Sequence, residues 1–171
     1  MTVTQTQLIK DFSYKDGKLY WLPRGNGKFD KQFAGKECGC VTSLGYRLLS
    51  YRGSNILAHV VVWVMHNGPI PDGYQIDHAN NNGLDNDIKN LRICTSSQNA
   101  FNKRIRTNNK SGFKGVMWNK SNSNWRVRLA ANKKSIEIGS FDSLEDAVLA
   151  SNIARQKYHG DFFNHGMRSA A

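Results

Sequence analysis

The feature that most constrains the fold of this sequence is a polar, asparagine-rich loop between two short predicted strands. Residues 75–78 and 91–95 are read as these strands, and the loop between them, 79–89, contains four asparagines. Either of the two serines after the second segment can cap a helix that ends near residue 103. The order strand, loop, strand and helix predicts a small unit that holds the polar loop in place.

Three polar side chains in this segment are of the types that hydrolysis of a phosphodiester requires. A hard cation must neutralise the scissile phosphate, and oxygen ligands such as those of Asp77 and Asn99 suit Mg²⁺. A base must also take a proton from the attacking water, and His78 is the candidate because imidazole ordinarily titrates near neutral pH. Neighbouring residues on a strand point to opposite faces, so Asp77 and His78 can share a site only at a strand end.

Residues 46–103 resemble the HNH nuclease motif of homing endonucleases encoded by phages and introns. The resemblance rests on the order I-D-H, then N-L-R, then T-x-x-x-N. It implies a ββα-metal fold in which Asp77 and Asn99 hold a divalent metal ion, for which we expect Mg²⁺, with Mn²⁺ as the alternative. It also implies that His78 is the general base, and that Asn90 braces the loop and orients His78.

His59 lies at a second position that matches this family. It stands in A-H-V, where the family usually has A-H-R or V-H-R, so that Val60 replaces an arginine. Two interpretations remain open for His59. It is either a catalytic residue or a histidine packed in the core.

Positive charge is concentrated in the second part of the chain. The formal net charge is +11; residues 1–100 carry 11 basic and 8 acidic side chains, whereas residues 101–171 carry 13 and 5. No acidic residue occurs between residues 101 and 136, and aromatic residues alternate with the basic ones, as expected of a surface that binds a polyanion. The predicted partner is double-stranded DNA, and its predicted contacts are Lys103, Arg104, Arg106, Lys110, Lys114, Trp118, Lys120, Arg126, Arg128 and Lys133.

The pattern from residue 114 onward, which overlaps this basic stretch, predicts a three-stranded sheet that packs on one helix. The predicted strands are 114–118, 124–131 and 135–139, and Ser143 begins the helix with a capping box. Along the middle strand Trp125, Val127 and Leu129 share one face, which leaves Arg126 and Arg128 on the other.

This part of the chain resembles the ethylene-response-factor (Apetala-type) DNA-binding domain. The resemblance rests on G-F-K-G-V-M-W, N-W-R-V-R-L, I-G-S-F-D-S-L-E-D-A and A-R-Q-K-Y-H-G-D-F-F-N. It implies that the sheet lies in the major groove of DNA with Lys114, Trp118, Arg126 and Arg128 facing the duplex.

The predicted fold class is α+β, with a ββα-metal core that is preceded by β-hairpins and followed by the small antiparallel sheet. Residues 1–55 are read as short strands joined at turns such as Asp16-Gly17 and Gly53-Ser54, and residues 58–66 as a helix. The predicted parts are, in chain order, a nuclease domain 1–103 with its core at about 58–103, a basic linker 104–111, an Apetala-like domain 112–164 and a tail 165–171.

We therefore predict a monomeric, intracellular (cytoplasmic) and metal-dependent endonuclease of the homing type, which nicks one strand of DNA at a site positioned by the C-terminal domain. The longest apolar run, 56–65, is too short to span a membrane, which needs about 20 residues. Cys38, Cys40 and Cys94 lack the paired spacing of a structural zinc site, so none is expected. The alternative is a DNA-binding regulator without catalytic activity, in which the HNH segment is degenerate.

Overall fold

The computed structural model describes residues 3–102, 105, 109–131 and 134–163. The chain forms two compact units that divide between Cys94 and Thr95, and each unit is described by itself. Short helices and small antiparallel sheets occur in both, which confirms the mixed α and β composition of the predicted fold class. Among the described helices, none has the length and apolar character that crossing a bilayer demands.

The first unit opens with a helix and a β-hairpin. Helix α1 (Gln5–Asp11) leads directly into strands β1 (Phe12–Lys15) and β2 (Lys18–Trp21), which pair in antiparallel fashion. The two turn residues, Asp16 and Gly17, have φ angles of 49° and 75°. A two-residue hairpin turn needs positive φ at both positions, and Asp-Gly is a favoured pair there. This hairpin confirms the prediction from the sequence.

The prediction that residues 1–55 form only short strands is wrong at two places, where α1 and a second helix, α2 (Gly27–Phe33), occur. Thr4 and Gln7 form a capping box at the start of α1. Asn26 caps α2 by accepting a hydrogen bond from the backbone of Phe29 at 3.2 Å. Each helix has seven residues, which is too short to show a helical period in the sequence.

A three-stranded sheet and a helix follow, and then a pair of strands. These elements are β3 (Cys40–Val41), β4 (Arg47–Tyr51), β5 (Ser54–Leu57), α3 (Ala58–Asn67), β6 (Tyr74–His78) and β7 (Leu91–Thr95). The turn between β4 and β5 is formed by Arg52 and Gly53, with φ angles of 51° and 76°, one residue earlier than predicted. Helix α3 confirms the helix predicted at residues 58–66.

The core of the first unit anchors the two strands that flank the polar loop. Ile76 of β6 and Leu91 of β7 are buried in the same cluster as Val61 and Val62 of α3. Burial of apolar side chains is the dominant favourable contribution to folding. The loop between β6 and β7 therefore starts and ends at strands that are fixed by the core.

The second unit consists of a short helix and a three-stranded sheet packed on a longer helix. Its elements are α4 (Ser96–Asn102), β8 (Val116–Asn119), β9 (Asn124–Ala131), β10 (Lys134–Phe141) and α5 (Leu144–His159). Strand β9 lies in the centre and pairs in antiparallel fashion with both neighbours. Val127 of β9 and Ala147 of α5 are fully buried in the same hydrophobic cluster. At the start of α5, the hydroxyl of Ser143 accepts a hydrogen bond from the backbone of Asp146 at 3.0 Å. The predicted sheet and helix are confirmed, with β8 beginning two residues later than predicted. Ser143 caps the helix as predicted, and its hydroxyl donates to the carboxylate of Asp146 at 2.8 Å.

Helix α4 packs with the second unit, whereas the predicted nuclease domain extends to residue 103. The ring of Phe101 stacks on that of His159, with centroids 3.8 Å apart, and Lys114 donates a hydrogen bond to the carbonyl of Phe101 at 3.1 Å. The helix is capped by Thr95, which exchanges hydrogen bonds with Gln98, and not by one of the serines that follow. The functional limits of the domains stay a prediction, and half of the predicted linker and all of the predicted tail lie outside the described residues.

Candidate active site

Asp77 and His78 are the last two residues of β6, and both side chains are buried, with 8% and 5% of their surface exposed. Arg92 of β7 donates two hydrogen bonds to Oδ2 of Asp77, at 3.0 Å from Nε and 2.9 Å from Nη2. An arginine that contacts a carboxylate in this way fixes its orientation. The strand ends at His78, as the sequence requires if the two side chains are to serve one site.

His78 is oriented by Asn86, a buried residue of the polar loop. Nε2 of His78 lies 3.0 Å from Oδ1 of Asn86. In the tautomer that carries its proton on Nε2, the ring donates to this amide oxygen and Nδ1 holds the lone pair. This is the form of histidine that can take a proton.

Asn90 holds the loop between β6 and β7 together. Its side chain accepts a hydrogen bond from the backbone of Asn80 at 3.0 Å and donates to the carbonyl of Asp85 at 2.8 Å. Its own carbonyl accepts a hydrogen bond from the backbone of Ala79 at 2.9 Å. These contacts are those of a residue that braces the loop. Asn86 gives His78 an orienting contact that the sequence did not single out, and the orienting role assigned to Asn90 stays a prediction.

His59 lies in the first turn of α3, next to His78. The centroids of the two imidazole rings are 4.8 Å apart, and the ring of Tyr46 lies 5.8 Å from His59 and 5.9 Å from His78. Nδ1 of His59 is buried without a hydrogen-bond partner among the described residues. Burial, with a smaller contribution from His78, lowers the pKa of His59 to about 4. His59 is therefore a neutral residue packed beside His78 at neutral pH.

The low pKa of His59 predicts that stability depends on pH. Below pH 6.5 the unfolded chain protonates this residue, whereas the folded chain excludes the proton down to about pH 4. The contribution of neutral His59 to the free energy of unfolding is fully present above pH 6.5 and is lost as the pH falls from 6.5 to 4. The free energy of unfolding is expected to fall by about 3 kcal/mol over that range. Urea unfolding at pH 7 and pH 4.5 should show a smaller loss for His59→Gln than for the wild type.

The control for this prediction is His66→Gln, because His66 is exposed and lies at the other end of the same helix. This variant should lose as much stability as the wild type between the two pH values. An identical loss in His59→Gln and His66→Gln would contradict the low pKa of His59.

The polar loop approaches the ring of Tyr46 at Gly83. A Cβ atom at this position would lie 2.8 Å from the ring of Tyr46 and 2.5 Å from the carbonyl oxygen of Gly45. Both distances are too short for a side chain, so only glycine allows this approach. Gly83 thus lets the loop pack against the residue that contacts His59 and His78.

Asn99, the second predicted metal ligand, lies on α4 in the second unit and is half-buried. Within the described residues, no three His, Cys, Asp or Glu side chains form a cluster that could hold a metal ion. A magnesium ion keeps several waters and takes few protein ligands, and the oxygen of a carboxylate or of an amide is a suitable donor for it. The donor chemistry of Asp77 and Asn99 therefore fits a hard divalent cation.

The exposed face of the sheet in the second unit carries the two predicted arginines. Val127 and Leu129 face α5, so alternation places Arg126 and Arg128 on the opposite face. Both arginines pair with Glu137 of β10: Arg126 donates two hydrogen bonds to its carboxylate, and Nε of Arg128 lies 3.6 Å from it. Arg128 also donates a hydrogen bond to the hydroxyl of Ser135 at 3.0 Å.

Two other predicted DNA contacts lie away from this arginine face. Trp118 is directly opposite Trp125 in the register, so it shares the face of Trp125 while its neighbour Met117 shares the face of Arg126. The ammonium group of Lys114 donates to a backbone carbonyl inside the unit, and burial together with Arg155 lowers its pKa to about 8. Neither side chain takes the position on the arginine face that the resemblance implied.

The remaining predicted contacts are only partly described. Lys110 and Lys120 are exposed, in the segment before β8 and in the turn after it. Four others lie outside the described residues, and these are Lys103, Arg104, Arg106 and Lys133. For all of these positions a contact with DNA stays a prediction.

Sequence reasoning assigned no role to four residues that the structure brings into these sites. Asn86 lies in the polar loop and Arg92 in the strand that follows it. Their side chains are of types that can orient a histidine or a carboxylate, so the sequence could have suggested both. Tyr46 had no local signal, because its contact with His78 arises from packing between elements distant in sequence. Glu137 reaches Arg126 across neighbouring strands, at an irregularity in their register that the sequence does not reveal. Three-dimensional structure was needed to find them.

Comparison with known proteins adds independent findings. Residues 57–101 match the HNH endonuclease family. Protein 3.8 of Escherichia phage T7 is 38% identical over 104 residues, which cover 61% of this chain and 85% of that protein. An uncharacterized HNH endonuclease, L560, of Acanthamoeba polyphaga mimivirus is 27% identical over 160 residues, which cover 89% of this chain and 83% of that protein. No solved structure matches the chain significantly. The chain therefore belongs to the HNH endonuclease family and is a nuclease that acts on DNA.

Proposed function

We propose that this nuclease is a divalent-metal-dependent endonuclease of the homing type, which nicks one strand of duplex DNA and is positioned by its second unit. The observation that carries the proposal is the adjacent, buried pair Asp77 and His78, each oriented by its own partner. Arg92 fixes the carboxylate and Asn86 fixes the imidazole. Two preoriented groups of these types, side by side at a strand end, are what hydrolysis of a phosphodiester requires.

His78 is proposed as the general base. Its hydrogen bond to Asn86 leaves the lone pair on Nδ1, and this nitrogen accepts the proton of the attacking water. His59 is proposed as a positioning residue, because its neutral ring packs on the edge of the ring of His78. Asn90 is proposed to hold the loop from which Asn86 reaches His78.

Asp77 and Asn99 are proposed as the ligands of the cation, Mg²⁺ or Mn²⁺, on the basis of the family resemblance and their oxygen donors. When bound, the cation neutralises charge on the scissile phosphate and on the leaving oxygen. The part of Asp77 is to present its carboxylate in one orientation, and Arg92 maintains that orientation.

The second unit is proposed to hold the nuclease on DNA through its arginine face. Arg126 and Arg128 lie on the side of the sheet that α5 leaves uncovered. The guanidinium group suits both guanine edges and phosphates. The relative L560 matches 160 residues of this chain, so the similarity extends well beyond the HNH segment.

The experiment that tests the proposal is cleavage of supercoiled plasmid by the full chain with Mg²⁺, with Mn²⁺ and with excess EDTA. The sequence contains one Asp-His pair, so a monomer cuts one strand per binding event. Open circles should therefore form before linear DNA, and EDTA should abolish the reaction. Linear DNA as the first product would contradict nicking, and cleavage that continues in EDTA would contradict metal dependence.

The second candidate function is that of a DNA-binding regulator in which the HNH segment has lost activity. It is favoured by the charge of the second unit, which would suffice for binding alone. A gel shift that is insensitive to EDTA, with no cleavage under any metal condition, would establish this alternative.

A further inference from the structure

We propose that Glu137 is a specificity-determining residue, which holds Arg126 and Arg128 in orientations that read base edges and which weakens their attraction to phosphates. The proposal rests on the proposed function, in which the arginine face of the second unit binds DNA. Its basis is a carboxylate at the centre of the surface that should bind a polyanion.

The contacts of Glu137 involve both arginines at once. Arg128 is directly opposite Glu137 in the register of β9 and β10, and Arg126 is opposite Ser140. A shift in the register between Glu137 and Gly139 interrupts the regular pairing there. From this position Glu137 accepts two hydrogen bonds from Arg126 and forms an ion pair with Arg128. Ser135 adds a hydrogen bond to Arg128 at 3.0 Å, so each guanidinium has at least one fixed partner.

The fold itself gains little from these ion pairs. The side chains of Arg126, Arg128 and Glu137 are 41%, 41% and 44% exposed. Ion pairs at such exposure contribute little to stability because water screens them and ordering long side chains costs entropy. The position of this acid is also unusual in the sequence, since Glu137 is the first acidic residue after Asp87. A role in binding therefore accounts for this carboxylate better than a role in folding.

Glu137 has opposite effects on the two kinds of DNA contact that the arginines can make, one with base edges and one with phosphates. A guanine edge requires a planar guanidinium held in one orientation, which a carboxylate partner provides before binding. A phosphate requires positive charge, and the negative charge of Glu137 opposes it. The hydrogen bonds from Arg126 lower the pKa of Glu137, so the carboxylate stays ionised at neutral pH. Base reading is thus favoured relative to contact with phosphate.

The test measures DNA binding by fluorescence anisotropy in EDTA, so that cleavage does not interfere. The probes are a random-sequence duplex and the duplex that the wild type enriches from a random library, each at several salt concentrations. Glu137→Gln should bind the random duplex more tightly, with a steeper salt dependence by about one unit of log–log slope. Its preference for the enriched duplex should fall by about tenfold. Glu145→Gln is the matched control, because it removes an equal charge from an exposed position in the first turn of α5.

A second variant separates orientation from charge. Glu137→Asp keeps the negative charge but shortens the side chain that reaches the arginines. This variant should lose its preference for the enriched duplex, and its affinity for the random duplex should not rise. This variant also decides the matter if Glu137→Gln fails to fold, which circular dichroism would reveal.

The outcomes distinguish failure of this inference from failure of the proposed DNA face. The double variant Arg126→Ala, Arg128→Ala should weaken binding and flatten the salt dependence. If it does so while both Glu137 variants behave like Glu145→Gln, the role of Glu137 is overturned and the arginine face stands. If the double variant binds like the wild type, the arginine face is not the DNA surface and both proposals fail.

Discussion

His78→Ala should lower the rate of plasmid nicking by about 10²–10⁴-fold, the usual contribution of a general base. The imidazole is buried at the end of β6, and Asn86 contacts its Nε2. We therefore expect no other side chain to replace Nδ1 as the proton acceptor. His59 is the nearest imidazole, but its low pKa makes it a weak base. Single-turnover nicking with Mg²⁺ measures the effect.

His66→Ala is the control for this prediction, because it removes an exposed imidazole from the end of α3 and should nick at the wild-type rate. Removal of the ring of His78 takes away a hydrogen-bond partner of the Asn86 amide. It also leaves a space beside the ring of His59. The thermal midpoint and the binding of DNA in EDTA must therefore be measured for the same samples. Nicking by folded, DNA-binding His78→Ala at the wild-type rate would refute the assignment of the base.

The parts of the fold that were predicted correctly are those that local chemistry determines. Asp16 and Gly17 define a hairpin turn by themselves, and the alternation along β9 identifies its buried face without knowledge of α5. Helices α1 and α2 were missed because seven residues give fewer than two full turns of apolar periodicity. The local signals available were the capping box of Thr4 and Gln7 for α1 and the cap residue Asn26 for α2.

The candidate site was predictable to the extent that its residues belong to one contiguous motif. Asp77 and His78 are candidates by residue type and position at a strand end, and the family resemblance adds Asn90. The ring of Tyr46 contacts His78 from the end of another sheet, and no pattern in the sequence links the two. The ion pairs of Glu137 depend on an irregular register between β9 and β10, which alternation alone does not reveal.

Asp77→Asn should lower nicking by about 10³-fold, because a metal ligand stabilises developing charge by several kcal/mol. The carboxylate has two roles that must be separated. It is the proposed ligand of the cation, and it is also the partner of Arg92 in a half-buried ion pair. Loss of the ion pair alone could disturb the loop and reduce activity indirectly, since breaking such a pair leaves a charge without its partner.

Arg92→Leu separates the two roles, because it removes the ion pair and keeps the carboxylate. Loss of a partner that orients a metal ligand costs about 10–100-fold, so this variant should remain at least tenfold more active than Asp77→Asn. Asp72→Asn, at an exposed position before β6, is the matched control for the loss of charge and should nick like the wild type. Titration of Mn²⁺ followed by electron paramagnetic resonance gives a measure independent of activity, in which Asp77→Asn weakens binding more than Arg92→Leu. Equal nicking and equal Mn²⁺ affinity in these two variants would mean that Asp77 acts through Arg92 alone, and the proposed metal ligand would have to be another residue.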